Sequence, residues 1–426
     1  MITVGYTILM SVLLVVLAPV GWILSMFGHS YIWDRITVRA FPVPAGTRRI
    51  WIHAASVGES GVAHAMAGEI KKHRENVFIC VTTSTATGLQ RLQSKNDQDD
   101  NSPVDLVCLA PFDHPLLTGI LVRRLQPDAF ILVETEIWPW LIRSIHSAGT
   151  PITIINGKLS RRGFRRYAYV RGEMKRLLSK VSLICVQSRP FAWRFNTLGV
   201  PRERIEILGN VKFDSLPDPS EYDRVSLRTK FGIPEAALVF TAGSTRPGEE
   251  TVLISAFRQV RERYANAVMV LVPRHLNRVG EIEELLRNGN IGYVKRSDGG
   301  GRVSQEVPVL LLDTLGELIP MFACSDVAFV GGSLRDFGGH NPMEPAALGI
   351  PVLFGHYMEQ TGSKELLQGG AAVVVHDDDE LAESVCDLFS NSAEAGKMGS
   401  AGRDVIGRFT GTLERTYRCM VKRGLL

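Results

Sequence analysis

Val327-Ala328-Phe329-Val330-Gly331-Gly332, followed by Gly338-Gly339-His340-Asn341-Pro342-Met343-Glu344-Pro345 and by Pro351-Val352-Leu353-Phe354, is the stretch on which the fold turns. It reads as an apolar strand, a glycine-rich turn, a short helical pattern over Ala346–Gly349 entered through Glu344, and a second buried strand. Glycines let a ligand approach the backbone closely. A helix start offers unpaired N–H groups to a phosphate. The Glu344 carboxylate can accept hydrogen bonds from sugar hydroxyls. In a two-domain α/β chain these residues read as a nucleotide-sugar site, with Gly332, Ser333, Asn341 and Glu344 as its candidates. A tight turn with a capping glutamate is the plainer alternative.

The same rhythm runs outward in both directions. Short apolar, β-branched runs recur at Ile50–Ala54, Val77–Thr82, Leu106–Ala110, Ala129–Glu134, Ile152–Asn156, Leu183–Gln187 and Ile205–Leu208. They recur again at Leu238–Ala242, Ala267–Val272, Ile291–Lys295, Val309–Leu312, Val327–Val330, Val352–Phe354 and Ala372–Val375. Helical patterns lie between them, as in doubly wound parallel sheets. Leu216-Pro217-Asp218-Pro219-Ser220 interrupts the alternation and reads as a linker. The expected division is a membrane helix over 1–33, an α/β domain over 48–210, a linker over 211–223, a second α/β domain over 224–410 and a helical tail over 411–426. The Pro/Gly-rich Phe41–Thr47, the polar Asn96–Ser102 and Asp298-Gly299-Gly300-Gly301 read as connections.

The 426 residues are comfortable for two domains. Apolar and charged fractions of 45% and 22% are those of a globular protein. Six scattered cysteines form no C-x-x-C pair, which fits a reducing compartment and small hydrophobic roles. Met1–Trp33 has no Asp, Glu, Lys or Arg, and Val4–Phe27 is nearly continuous apolar sequence. At about 1.5 Å per residue such a helix spans roughly 36 Å, enough for a hydrocarbon core of about 30 Å. It lacks the basic start and short apolar stretch of a cleaved signal. Arg35, Arg39, Arg48 and Arg49 follow it. The positive-inside rule then places the body on the cytoplasmic side of a single-pass anchor.

The remaining motifs lie at strand ends, where ligands bind open α/β sheets. Trp51-Ile52-His53-Ala54-Ala55-Ser56-Val57-Gly58-Glu59 brings Ser56 and Glu59 to the start of a helix. Glu59 suits a general base there, or equally a dipole-stabilised cap. Thr82-Thr83-Ser84-Thr85 reads first as a cap. Glu134-Thr135-Glu136-Ile137-Trp138-Pro139 sets two acids before an aromatic. Lys158–Arg176 carries eight basic residues against one acid, a net +7, with Phe164, Tyr167 and Tyr169 between. Arg161, Arg162 and Arg165 there suit a membrane surface or a phosphorylated lipid better than nucleic acid, with a solvated helix face as the alternative. Ala242-Gly243-Ser244-Thr245-Arg246-Pro247-Gly248 resembles a phosphate-binding turn without the P-loop pattern. Arg274 in Pro273-Arg274-His275 could bring a guanidinium to a phosphate. No His/Cys cluster demands a metal, and no cofactor is expected.

Taken in order, W-I-H-A-A-S-V-G-E, T-T-S-T-A-T-G, E-T-E-I-W-P, G-N-V-K-F-D, A-G-S-T-R-P-G-E-E, V-P-R-H and G-G-H-N-P-M-E-P resemble the set found in the transferases of 3-deoxy-D-manno-oct-2-ulosonic acid (Kdo), over roughly Trp51–Gly355. The resemblance implies a GT-B fold, two Rossmann-like domains facing a cleft, behind an N-terminal membrane helix. It implies inverting transfer of Kdo from CMP-Kdo onto a lipid A precursor (lipid IVA) at the cytoplasmic face of the inner membrane. Glu59 is then the base. Ser56, Glu134, Glu136, Arg161, Arg162 and Arg165 fall on the acceptor side. Ser244, Thr245, Arg274, Gly332, Ser333, Asn341 and Glu344 fall on the donor side. Trp140, Gly157 and Arg246 depart from the family's usual Asn, Ala and His. Another GT-B transferase or epimerase, or a membrane-bound nucleotide- or lipid-binding protein without catalysis, is the alternative.

Overall fold

The computed structural model describes residues 2–38, 43–98, 101–299 and 301–426, with backbone only at Ile2, Asp97 and Gln98. The expectations for Arg39, for Phe41 and Pro42 of the first connection, for the middle of Asn96–Ser102 and for Gly300 lie outside the described residues. All fourteen apolar runs are strands. In the first unit they are β1 (Arg48–Ala54), β2 (Val77–Thr83), β3 (Leu106–Leu109), β4 (Ala129–Val133), β5 (Ile152–Gly157), β6 (Leu183–Val186) and β7 (Ile205–Ile207). In the second they are β8 (Leu238–Thr245), β9 (Ala267–Pro273), β10 (Tyr293–Lys295), β11 (Val309–Leu311), β12 (Val327–Val330), β13 (Val352–Gly355) and β14 (Ala372–Val375).

The first sheet runs 3-2-1-4-5-6-7 and the second 10-11-9-8-12-13-14. Every described strand pairing is parallel. Helices cover both faces, which is why the strands carry no polar alternation. Ile50, Ile52 and Ala54 of β1 pack with Val62 and Met66 of the helix Val57–His73 on one face. Trp51, between them, packs with Leu121 and Ile142 on the other. In the second unit Phe240 and Ala242 enter one core and Val239 the opposite one. In each sheet the strand order reverses beside the central strand, so the loops after β1 and β4, and after β8 and β12, splay apart into a crevice.

The chain forms two compact units, Met1–Asp214 with Thr410–Leu426, and Ser215–Phe409. The C-terminal segment therefore belongs to the first unit. Its helix Thr412–Lys422 buries Tyr417 and Met420 in the core beside β1 and β2. The Asp214 carboxylate accepts the N–H groups of Thr412 and Leu413 at its start. Val211–Ser215 and Pro219–Glu221 are short 3-10 turns. The helix after β2 runs through Asn96 to Gln98, further than its polar sequence suggested. The Asn96 amide, donating to the Val104 carbonyl at 3.0 Å, ties that last turn to the next connection.

Candidate active site

In the first unit the S-x-x-E sequence builds a capping box at the start of Val57–His73. Ser56 accepts the Glu59 N–H, and its hydroxyl donates to Glu59 Oε1 at 2.8 Å. The Ala55 N–H donates to Glu59 Oε2, also at 2.8 Å. Both carboxylate oxygens are thus held, and Glu59 is only 7% exposed. Burial pushes its carboxyl above the usual range, against the lowering by the Ser56 and Ala55 donors, and the Glu134 charge adds to the rise. A surface cap would be lowered by its N–H partners.

Glu134 follows β4 with φ +59, a left-handed conformation that a non-glycine residue adopts at a cost. Glu136 accepts from Trp138 Nε1 at 3.1 Å. Burial raises its carboxyl, and the Glu59 and Glu134 charges raise it further. Three carboxylates therefore share one electrostatic neighbourhood. Lys212 Nζ lies 3.2 Å from Glu134 Oε1, and a Cβ at Gly58 would sit 3.7 Å from the same amine. The sequence places Lys212 at the edge of the linker over 211–223. Only the motif G-N-V-K-F-D pointed to it.

The structure brings Ser56, Glu59, Glu134 and Glu136 together. Arg161 and Arg165 instead line an open depression of about 540 Å³ with Phe164, Pro190, Trp193 and Arg194, and Arg162 stands exposed on the same helix, Arg161–Tyr169. The link between the two places is Tyr167, whose hydroxyl is raised by burial and by the Glu136 charge.

In the second unit the turn after β8 and the loop after β12 are joined through Glu249. This carboxylate is fully buried. It accepts the N–H groups of Arg246 (2.8 Å), Gly332 (2.7 Å), Ser333 (2.9 Å) and Leu334 (2.9 Å). Gly331 passes so close to β8 that a Cβ would lie 2.5 Å from the Ser244 carbonyl oxygen. Ser244 has φ +58, again a strained non-glycine residue at a strand end. Two of the nominated hydroxyls serve this scaffold. Thr245 donates to Glu250 Oε1 at 2.8 Å, and Ser333 donates to the Val330 carbonyl at 2.6 Å. Glu250 in turn holds Arg278 through both oxygens.

Above this scaffold lies a cluster of basic groups. Arg246 Nε donates to His340 Nε2 at 3.1 Å, and Arg246 Nη1 to His275 Nε2 at 2.8 Å. Nε2 of His340 is then an acceptor, and the ring is neutral with its proton on Nδ1. Burial, followed by the charges of Arg246, Arg274 and His275, pushes its pKa down to about 4. Asn341 Nδ2 donates to Glu344 Oε1 at 3.0 Å and orients it. Burial raises the Glu344 carboxyl, while Asn341 and the Arg274 charge lower it. Arg274 is exposed after β9, its N–H held by the Thr245 carbonyl at 3.1 Å.

The helix here is Met343–Ala347, a single turn that begins before the Ala346–Gly349 pattern because the Asn341 side chain caps the Met343 N–H. So short a helix offers N–H groups but little summed dipole. Two guanidiniums, two imidazoles, glycine backbone and one hydrogen-bonded carboxyl are gathered here, surroundings that suit an anionic group. Arg246, His275, His340 and Glu249 were not among the nominated residues. Their motifs were visible, but the pairing between β8, β9 and the β12 loop was not. Among the described residues no group of three or more His, Cys, Asp or Glu side chains is placed to hold a metal ion.

Two parallel-sheet units, one with buried carboxylates and one with a basic glycine-rich receptor beyond the strand ends, define a glycosyltransferase of the GT-B class. Residues 32–215 match the profile of the 3-deoxy-D-manno-octulosonic-acid transferase (Kdotransferase) family. A 3-deoxy-D-manno-octulosonic acid transferase of Haemophilus influenzae is 32% identical over 88% of this chain and 86% of its own length. One of Bordetella pertussis is 27% identical over 86% and 85%. In three dimensions a glycosyltransferase from Rickettsia africae aligns with a TM-score of 0.59 at 14% identity, covering 89% of this chain and 99% of that one. The chain belongs to the 3-deoxy-D-manno-octulosonic acid transferase family, and its activity is that of a Kdo transferase.

Proposed function

We propose that the protein transfers Kdo from CMP-Kdo to a hydroxyl of a lipid A precursor, lipid IVA, with inversion, at the cytoplasmic face of the inner membrane. The observation that carries this reading is Glu59: a carboxylate fixed through both oxygens, yet raised by burial toward the range where a base works. Glu59 takes the proton of the attacking sugar hydroxyl as the new C–O bond forms at the anomeric carbon. The bond to the CMP phosphate oxygen breaks, and CMP leaves as an anion. One displacement from the opposite face inverts that carbon, by analogy with inverting hydrolases. Glu134, Glu136 and Ser56 position the acceptor, with Lys212 holding Glu134. Arg161, Arg162 and Arg165 meet the acceptor's phosphates, for which the guanidinium fork is suited.

Ser244, Arg274, Asn341 and Glu344 hold the donor, together with Arg246. Thr245, Gly332 and Ser333 shape the turn beneath it through Glu250 and Glu249. Arg246 and Arg274 stabilise the departing phosphate. The test is incubation of the full chain in detergent with CMP-Kdo and tetra-acylated lipid A precursor, followed by mass spectrometry of the lipid. The expected result is a lipid bearing added Kdo and released CMP. A lipid left unmodified, or turnover supported equally by UDP-sugars, overturns the reading.

Arg274→Ala is expected to weaken CMP binding by about ten-fold, on the order of 1–2 kcal/mol for a lost charge-assisted hydrogen bond at an exposed strand end. Thermal stability should not change. Calorimetric titration checks this; an unchanged Kd removes Arg274 from the donor site.

A further inference from the structure

The helix Ile2–Met26 is, within the described residues, the one long and apolar enough to cross a membrane. It is also tied to the first unit at both ends. Its less exposed residues include Thr3, Tyr6, Met10, Leu14, Leu17 and Gly21, a spacing of three or four that traces one face along nearly the whole helix. The first three turns carry a polar seam. Thr3 Oγ1 donates to Glu173 Oε1 at 2.7 Å and accepts from Arg143 Nη2 at 3.2 Å. Tyr6 donates to Asp113 Oδ2 at 2.9 Å, Trp140 Nε1 donates to Thr7 Oγ1 at 3.0 Å, and Ser11 Oγ lies 3.1 Å from His114 Nε2. Trp140, one of the departures from the family pattern, thus holds this helix.

At the other end a Cβ on Gly21 would lie 2.7 Å from Ile32 Cγ2, so the backbone runs hard against the helix Tyr31–Ile36. That helix is pinned by Arg35 Nε to the Ala110 carbonyl at 2.9 Å and by the Tyr31 hydroxyl to the Ser84 carbonyl at 2.6 Å. The opposite face is apolar and exposed: Val4 62%, Ile8 59%, Val12 57%, Val15 75% and Met26 60%.

A helix of this length that crosses a bilayer has its ends separated by roughly 30 Å of hydrocarbon. Here the first turns are hydrogen-bonded to one polar body, and the other end packs on a short helix that is hydrogen-bonded to the same body. A crossing would carry Asp113, His114, Arg143 and Glu173 into the hydrocarbon, where ionisable groups are costly. We propose that the helix is an in-plane membrane seat, lying along one leaflet with its polar seam on the catalytic unit and its apolar face among lipid acyl chains. The proposal rests on the reading that the protein works at a membrane.

Interfacial helices usually carry Lys and Arg on their own polar face. This one turns its polar face inward. Positive charge is supplied instead by Arg161, Arg162, Arg165 and Arg166. Their helix leads directly into Arg171–Leu178, whose Glu173 holds Thr3. The basic helix and the apolar face together match an anionic leaflet, headgroups against the one and acyl chains against the other.

The test uses the full chain with a protease-cleavable epitope at each terminus, in right-side-out and inside-out bacterial membrane vesicles. An in-plane helix leaves both epitopes on one face, both cut in inside-out vesicles and both protected in right-side-out ones. A span puts the N-terminal epitope on the opposite face and overturns the proposal. Val12→Lys/Val16→Lys should lower partition of the purified chain onto anionic vesicles at least ten-fold with CMP affinity intact. Unchanged partition also overturns it. Neither readout needs turnover. Epitopes on one face with no Kdo transfer would leave the seat standing and sink the proposed function instead.

Discussion

Glu59→Gln lowers Kdo transfer by roughly 10²–10⁴-fold, the usual contribution of a positioned general base, while CMP affinity and melting temperature stay at wild-type values. The substitution is unusually clean here because glutamine also serves in a capping box. Its carbonyl oxygen can still accept one of the two donors, the Ala55 N–H or the Ser56 hydroxyl, that now hold the carboxylate. What is lost is the capacity to take a proton. The pH dependence follows from the same group. The active form is the carboxylate, and burial favours the protonated form, so kcat/KM falls as pH drops through a midpoint above the ordinary glutamate value. That acid limb should vanish from the residual activity of the variant. Steady-state kinetics across pH, with calorimetry for CMP, checks both parts. A variant with near wild-type turnover reduces Glu59 to a helix cap.

Glu249→Ala removes the acceptor of four backbone N–H groups in a place that water does not reach. Stranding buried donors, and breaking a buried charged network, costs on the order of 3–5 kcal/mol. In a unit of this size that corresponds to a fall in melting temperature of about 10 °C. CMP binding should be lost with it, because among the described residues no other carboxylate joins the turn bearing Ser244 and Arg246 to the loop bearing Gly332. Glu249→Gln should rescue only in part. One carboxylate oxygen serves Arg246 and Gly332 and the other Ser333 and Leu334, so an amide faces one pair of donors with an NH₂ group. Calorimetric unfolding and CMP titration decide the matter. A melting temperature within two or three degrees of wild type, with CMP affinity retained, would show that the loop stands without this carboxylate.

Much of this was legible before any coordinates. Strands buried on both faces must be short and uniformly apolar, and turns between them need glycine, proline or small polar residues. The alternation from Ile50 to Val375 therefore specified the two doubly wound sheets without reference to long-range contacts. Strand ends carry ligands in such sheets, which is enough to single out Glu59, Glu134, Ser244, Arg274 and Glu344. The length and apolarity of Val4–Phe27 likewise marked a candidate membrane helix, and the structure has there a helix long and apolar enough to cross a bilayer.

The rest depended on which surfaces meet. In Gly248-Glu249-Glu250 two adjacent acids are equivalent on paper. Folding sends one to the β12 loop and the other to Arg278 and Thr245. Arg246 finds His340 from 94 positions away, and Lys212 finds Glu134 from 78. The tail after Phe409 joins the first unit because Tyr417 and Met420 complete a core begun by β1 and β2. The N-terminal helix is a candidate membrane helix by length and composition in the sequence and in the structure alike. Its docked face is settled by Thr3, Tyr6, Thr7 and Ser11, each unremarkable in sequence. Local pattern determines which segments are strand or helix, since burial and backbone hydrogen bonding act on every residue in turn. The partners of a buried charge, and the face a helix turns to the protein, are set only when distant segments close on one another and each polar group must find a donor or acceptor.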